Sequence, residues 1–462
     1  MASVRAWDRY PPTYRAREMQ VLSDWIRAAE SGSVVGLAGA GKSNLLRCLC
    51  HRPELPGHVP VLVDLNSLHE ISLSVLYRVI LRSLHEAHAQ LALVDPSLPA
   101  TVQSLYEQVA EKADPFVSQS ALREALFAFR ERGAGLTLVL DPFDEFARSA
   151  PTPILNTLRG LRDSFKMSLS YIVGLRRELA YVRSPEELGE LYEILDVHVC
   201  WLGPLQGGDA EVIIRQTEKG FGKQFGPEQV RRLVDVTGGY PALLRVGSLW
   251  LARSAPAPAE ETWVTALLDD PSVRRRLKEM WLGLTANEQS AIAALGEAVC
   301  APAKTEAQAH TRIAKVAERY PEALGRLSAK GLCTETTAGW RVFSPLFAQF
   351  AANAREATTG SIRYEVESDR FFRGETEMSD LSALDCRLLH HLLAHPVRVH
   401  SIDDLIGAAW SDFCAEGVRS DTVQQAIRHL RVQIEPDPSR PRYVTTEHRR
   451  GYRFFPEGAP QT

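Results

Sequence analysis

The sequence predicts an α/β core organised on a parallel sheet, continued by a helical segment and two small domains that each close on a hairpin. Three observations carry this prediction. First, Gly36-Leu37-Ala38-Gly39-Ala40-Gly41-Lys42-Ser43 follows the short apolar strand Ser33-Val34-Val35-Gly36-Leu37 and leads into a helix opening at Asn44-Leu45-Leu46-Arg47. Second, Leu136-Thr137-Leu138-Val139-Leu140 is a continuous apolar run that ends abruptly in Asp141-Pro142-Phe143-Asp144-Glu145. A run of this kind is a strand covered on both faces, as in parallel sheets. Third, from residue 361 onward short strands and amphipathic helices alternate up to a terminal hairpin.

The first segment fits G-x-x-x-x-G-K-[ST], the phosphate-binding P-loop. Small residues at Gly36, Ala38, Gly39, Ala40 and Gly41 let the backbone curl with its N–H groups inward, and the following helix N-terminus completes an anion cradle. Lys42 is positioned by this pattern to reach the β and γ phosphates, Ser43 to ligate Mg²⁺, and Asn44 to open the helix beside them. Acids at the carboxyl end of a buried parallel strand lie where open α/β sheets bind ligands. Asp141 is therefore the second candidate Mg²⁺ residue. Glu145 is the first candidate for activating water and Asp144 the next. A third apolar strand, Tyr171-Ile172-Val173-Gly174-Leu175, ends in Arg176-Arg177. A guanidinium there matches phosphate oxygens in a fork geometry, and Arg176 is preferred as the γ-phosphate sensor.

With these motifs in place, the chain resembles the STAND class of signalling ATPases, a branch of the AAA+-like P-loop proteins. The acidic pattern D-x-x-D-E at Asp141–Glu145 is similar to theirs. Tyr14-Arg15-Ala16-Arg17-Glu18 is similar to the class's hydrophobic-hydrophobic-Gly-Arg-Glu motif, with Arg15 and Ala16 replacing a hydrophobic residue and glycine. Leu202-Gly203-Pro204-Leu205 and Gly238-Gly239-Tyr240-Pro241 resemble the turn into the helical lid and the G-x-P motif. The resemblance implies an α/β P-loop NTPase core (1–205), a helical lid (206–275) and a winged-helix domain belonging to the switch (276–356). It implies that Arg17 lies near adenine and that Pro241 packs on the nucleotide. It further implies ATP/ADP exchange with Mg²⁺, slow ATP hydrolysis and nucleotide-dependent homo-oligomers.

Composition supports a folded globular chain of several domains: 462 residues, 45% hydrophobic and 24% charged. No run of 18 apolar residues exists, so no membrane partner is expected. The first residues lack an apolar signal core. The seven cysteines form no C-x-x-C pair, which points to a reducing cytoplasm rather than a disulfide frame or a zinc site. There is no H-E-x-x-H or G-x-S-x-G motif.

Residues 361–462 order two short strands, three helices and a hairpin. The stretch from Leu430-Arg431 through Glu435-Pro436-Asp437-Pro438 and Pro441-Arg442-Tyr443-Val444 to Gly451-Tyr452-Arg453-Phe454 resembles the winged-helix DNA-binding domain of OmpR-type response regulators. The resemblance places the third helix in the major groove. It makes Thr422, Gln424, Gln425, Arg428 and Arg431 candidate DNA-facing residues, with Arg449 and Arg450 at the wing. A glycine is usual near Arg449. The domain carries 13 Arg, no Lys and 16 acids, but Arg419 to Arg453 holds eight Arg against four acids. A basic face on an acidic body suits binding that depends on several copies. The expected function is an ATP-dependent signalling switch controlling DNA binding, as in transcription regulation. A stress or phage-defence scaffold whose winged helix recruits a protein signal or effector partner is the alternative, followed by an AAA+ DNA remodeller or initiator.

Overall fold

The computed structural model describes residues 10–51, 55–111, 114–254, 258–300, 305–358, 361–366, 369–374, 376–410, 419–435, 441–447 and 450–459. The chain divides into two units, Met1–Ala351 and Ala352–Thr462.

In the first unit, five strands form one parallel sheet: β1 Gly32–Val35, β2 His58–Asp64, β3 Gly135–Asp141, β4 Leu169–Leu175 and β5 Val199–Trp201, in the order β2-β3-β4-β1-β5. Every residue of β1 and β4 is buried. This agrees with the uninterrupted apolar runs, since helices cover both faces and leave no polar side to alternate with. The P-loop strand β1 sits between β4 and β5. The acid-bearing β3 pairs with β4, so the ends of β1, β3 and β4 open onto one edge of the sheet.

Beyond β5 the first unit is helical. Helices Gly208–Phe221, Pro227–Thr237 and Pro241–Arg253 are followed by Trp263–Asp269 and Pro271–Trp281. Three more helices, Ala286–Cys300, Glu306–Arg319 and Pro321–Ala329, then lead into the hairpin of β6 Cys333–Thr336 and β7 Gly339–Val342. Helix Ala286–Cys300 opens on a reciprocal cap: Glu288 N–H donates to Thr285 Oγ1 at 3.3 Å, and Thr285 N–H donates back to Glu288 Oε2 at 2.9 Å.

The second unit opens with the antiparallel sheet of β8 Ile362–Glu365, β9 Arg370–Arg373 and β10 Thr376–Glu377. Helices Ala383–Ala394, Ile402–Ala409 and Ser420–Ile434 follow. A second sheet sets β13 Gly451–Phe454 between β11 Val399–His400 and β12 Val444–Glu447. Its core gathers Leu388, Leu392, Leu405, Val423, Ile427, Leu430 and Phe454. This is a winged helix. Among the described residues, no helix in either unit is long and apolar enough to cross a membrane.

Candidate functional site

The P-loop leaves β1 at Val35 and enters helix Lys42–His51. At its centre Gly39 has φ +80°, and a Cβ there would lie 2.4 Å from Ala242 Cβ. Both the backbone conformation and the crowding demand glycine. Lys42 folds back over the loop and donates to Gly36 O at 2.5 Å. Burial pushes its pKa down to about 8, against the opposing pull of Asp144 and Asp141.

Ser43 Oγ donates to Asp141 Oδ2 at 2.6 Å, joining the loop to the end of β3. Burial raises the pKa of the Asp141 carboxyl, while the Ser43 hydrogen bond and the Lys42 charge pull it down. Gly174 on β4 makes room for this carboxylate: a Cβ there would stand 2.2 Å from Asp141 Oδ1. Nothing in the sequence marked Gly174 for that purpose, because only the register of β3 beside β4 brings the two together.

The two acids offered for activating water have different surroundings. Asp144 Oδ1 accepts the Arg176 N–H at 2.8 Å, and its Oδ2 is buried with no hydrogen-bond partner. Glu145 turns to solvent, 72% exposed, where Arg148 Nη1 lies at 2.5 Å and Ser149 Oγ at 2.7 Å. Both of those partners are local, three and four residues along the same helical turn. Of the two, Asp144 is the one whose charge acts on Lys42, together with that of Asp141. Arg176 is exposed next to them, whereas Arg177 donates to Leu282 O in the following helical segment.

Arg17 and Arg15 are differently placed. Arg17 projects into solvent from the first turn of helix Ala16–Arg27. Arg15, which precedes that helix at φ 49°, is the buried arginine. Its Nη2 donates to Ala40 O in the P-loop and to Gly203 O after β5, both at 2.8 Å. Its Nη1 meets Glu18 at 2.9 Å, and its backbone N–H donates to Asp209 Oδ2 at 2.8 Å. One residue thus ties the N-terminal segment to the P-loop, the exit of β5 and helix Gly208–Phe221. Sequence reading passed over Arg15 because it departs from the motif it occupies. Nearby, Tyr10 OH accepts from Asn44 Nδ2 at 2.9 Å, and the Tyr10 and Tyr14 rings lie 4.3 Å apart.

The G-x-P segment docks on the loop itself. Tyr240 OH donates to Ala38 O at 3.0 Å, and Ala242 N–H donates to Gly39 O at 3.2 Å. Pro241, buried at the start of helix Pro241–Arg253, has its Cγ 3.8 Å from where a Gly41 Cβ would stand.

In the second unit, helix Ser420–Ile434 buries Val423, Ala426, Ile427, Leu430 and Ile434. Thr422, Gln424, Gln425 and Arg428 share its exposed face. Arg431 does not join them. Its Nε donates to Val444 O at 2.9 Å and its Nη2 to Thr446 Oγ1 at 2.8 Å, so it clamps the helix to β12. Arg450 is exposed at the turn before β13, and Arg449 lies outside the described residues. Residues 436–440 of the expected exit loop also lie outside them. Glu435 is 4% exposed and accepts the N–H groups of Arg442, Tyr443 and Val444 at 2.6 to 2.8 Å. The carboxylate fixes the return of the chain into the hairpin, a role the sequence pattern alone did not reveal.

The first unit is thus an α/β P-loop NTPase core carrying helical additions, and the second is a winged helix of OmpR type. Residues 376–454 match the family of transcriptional regulatory proteins, C terminal. Over 98 residues the chain is 34% identical to YrkP, an uncharacterized transcriptional regulatory protein of Bacillus subtilis, covering 21% of this chain and 40% of that protein. Over 108 residues it is 36% identical to SphR, the alkaline phosphatase synthesis transcriptional regulatory protein of Synechococcus elongatus, covering 22% of this chain and 40% of the relative. The chain therefore spans well under half the length of these relatives. A Walker-type ATPase of Pyrococcus abyssi is a structural neighbour at TM-score 0.45 and 13% identity, covering 76% of this chain and 98% of that one.

Proposed function

We propose that this protein is an ATP-dependent switch of STAND type whose nucleotide state controls DNA binding by its C-terminal winged helix, as a transcriptional regulator. The observation that carries this proposal is the docking of Tyr240 and Ala242 on the carbonyls of Ala38 and Gly39. A loop built to wrap phosphates is held by the first residues of a lid helix. Filling the loop and moving the lid are then linked equilibria.

The residues at the sheet edge fit Mg²⁺-ATP. Asp144 Oδ2 is a buried oxygen without a partner, and Ser43 and Asp141 are two hard oxygen donors side by side. Ser43 and Asp141 would hold the metal, and Lys42 with the N–H groups of Gly36 to Ser43 would hold the phosphates. Asn44 stands at the same helix start. Bound Mg²⁺-ATP supplies a γ-phosphoryl group whose presence or loss distinguishes two states. Asp144 orients and deprotonates water, and Arg176 reads the terminal phosphate. Hydrolysis is slow, because a switch needs a persistent state. Pro241 contacts nucleotide at the base of the lid.

In the cytoplasm, the exposed row of Thr422, Gln424, Gln425 and Arg428 enters the major groove, with Arg450 at the wing. The acidic balance of the domain weakens a single contact, so ATP-driven homo-oligomers offset this by multivalency. The test is a titration of the purified chain with DNA from its own locus, in ADP and then in a non-hydrolysable ATP analogue, with particle size followed in parallel. Growth in size together with tighter DNA binding in the analogue is the expected result. Assembly without DNA binding overturns the DNA half and assigns the winged helix to a protein partner.

A further inference from the structure

A cavity lies at the opposite end of the sheet. Arg162, on helix Thr152–Ser164, is only 7% exposed. Among the described residues its side chain makes neither a hydrogen bond nor an ion pair, and its Nε is buried without a partner. A buried guanidinium nitrogen without a partner is uncommon, because buried polar groups are normally hydrogen-bonded. Arg162 lines this cavity of about 330 Å³ together with Arg159, Lys166, Glu30, Glu193 and Ile194.

The charges around it are unequally committed. Arg159 is occupied by Asp163 Oδ2 at 2.8 Å and Glu190 O at 3.1 Å. Glu30 Oε2 lies 3.8 Å from His198 Nε2, and Glu193 is exposed on the same wall. Lys166 is exposed and has no partner among the described residues. Arg162 and Lys166 thus face the cavity without an ion pair of their own, and the carboxylates of Glu30 and Glu193 share its wall. The volume is at the small end of ligand pockets, which run from about 300 Å³ upward. The lining residues immediately precede β1, β4 and β5, whereas the P-loop follows β1. One four-residue strand, a rise of about 13 Å, separates the two ends. Ser31 Oγ in the cavity wall accepts the Tyr171 N–H at 3.0 Å, joining β1 to β4 at that end.

We propose that this cavity is a binding site for a small organic oxyanion, a phosphate ester or a carboxylate, held between Arg162 and Lys166 and separate from the P-loop. Sodium pyrophosphate and citrate are suitable probes, added to the full chain at an ionic strength matched with sodium chloride. The Lys42→Ala background weakens anion binding at the P-loop. In that background a saturable rise in melting temperature is expected. Arg162→Met should abolish the rise while melting no lower than its parent, since it removes a buried nitrogen that has no partner to lose. Lys166→Ala, at an exposed position, should raise the half-saturating concentration about tenfold. A response to pyrophosphate alone assigns a phosphoryl ligand, and one to citrate alone a carboxylate. The proposal is overturned by the absence of a saturable response to either probe, or by a response that survives both substitutions. A large loss of stability in Arg162→Met with an unchanged response in Lys166→Ala also overturns it, because Arg162 is then structural.

Discussion

Lys330 Nζ lies 2.5 Å from Glu288 Oε1, and both side chains are buried, at 4% and 0% exposure. The same ammonium meets Glu178 Oε1 at 3.3 Å and sits 5.2 Å from the Trp201 ring centre. Glu178 is two residues beyond Arg176, and the intervening Arg177 holds Leu282 O. The strand end that carries the candidate phosphate sensor is therefore fastened to the helices after residue 282 by two consecutive side chains. Removing the cation leaves Glu288 and Glu178 without it. Lys330→Met should destabilise the chain by about 3–5 kcal/mol. Lys330→Met combined with Glu288→Gln should recover part of that loss. Chemical denaturation of the two variants checks this, and equal stability of Lys330→Met and the parent excludes a buried ion pair.

Lys42 gives nucleotide binding a pH dependence. Burial disfavours the charge and pushes the pKa of its ammonium down to about 8. Phosphate binding favours the protonated form, so affinity should be level below pH 8 and fall above it, by up to about tenfold per pH unit. The unliganded protein should change in the opposite sense. Between pH 8 and the ordinary lysine value of 10.5 the unfolded chain holds the proton more tightly, so stability gains from this group as pH rises. Titration of a fluorescent ATP analogue from pH 7 to 9.5 tests the first statement. Lys42→Met should lower affinity at pH 7 by about 10- to 100-fold and flatten the profile.

Asp144 and Glu145 are separable by mutation. Asp144 has an unpartnered buried oxygen next to Lys42, whereas Glu145 is bound to Arg148 and Ser149 in solvent. Asp144→Asn should lower single-turnover ATP hydrolysis by about 10²–10⁴-fold with ATP still bound. Glu145→Gln should leave the rate within about threefold, as expected for loss of a surface pair. A phosphate-release assay decides between them, and the reverse outcome restores Glu145 as the acid.

The contrast between these neighbours shows what the sequence made legible. Buried strands, the P-loop and the three C-terminal helices announce themselves through composition and period, because burial is a property of each segment alone. The direction of a side chain at a strand end is not. Glu145 and Asp144 differ only in how one helical turn leaves β3, and Arg15 and Arg17 only in which precedes the helix. Gly174 acquires meaning from a neighbouring strand, and Glu435 from a hairpin seven to nine residues away. Four strands, β2, β5, β10 and β11, lie outside the sequence-predicted set, and the two residues of β10 and of β11 carry no alternation to detect. Partners distant in sequence decided each of these cases, except where the helix start itself did.

The C-terminal helix offers a similar separation of roles between Arg428 and Arg431, three residues apart but differently engaged. Arg428 is exposed beside Gln424 and Gln425, so its substitution removes charge from the outer face and nothing from the core. Arg428→Ala should weaken binding to a specific DNA site by about 1–3 kcal/mol and leave the melting temperature unchanged. Arg431 bonds Val444 O and Thr446 Oγ1, with its guanidinium 5.7 Å from the Tyr452 ring centre. Arg431→Ala should cost about 1–3 kcal/mol of stability, because Val444 O loses a partner where helix and hairpin meet. Its loss of DNA affinity should then follow from a loosened wing, with a salt dependence close to that of the parent. Denaturation monitored in parallel with DNA titration at two salt concentrations separates the two effects. An Arg431→Ala chain of full stability that shows a shallower salt slope returns Arg431 to the DNA-facing set.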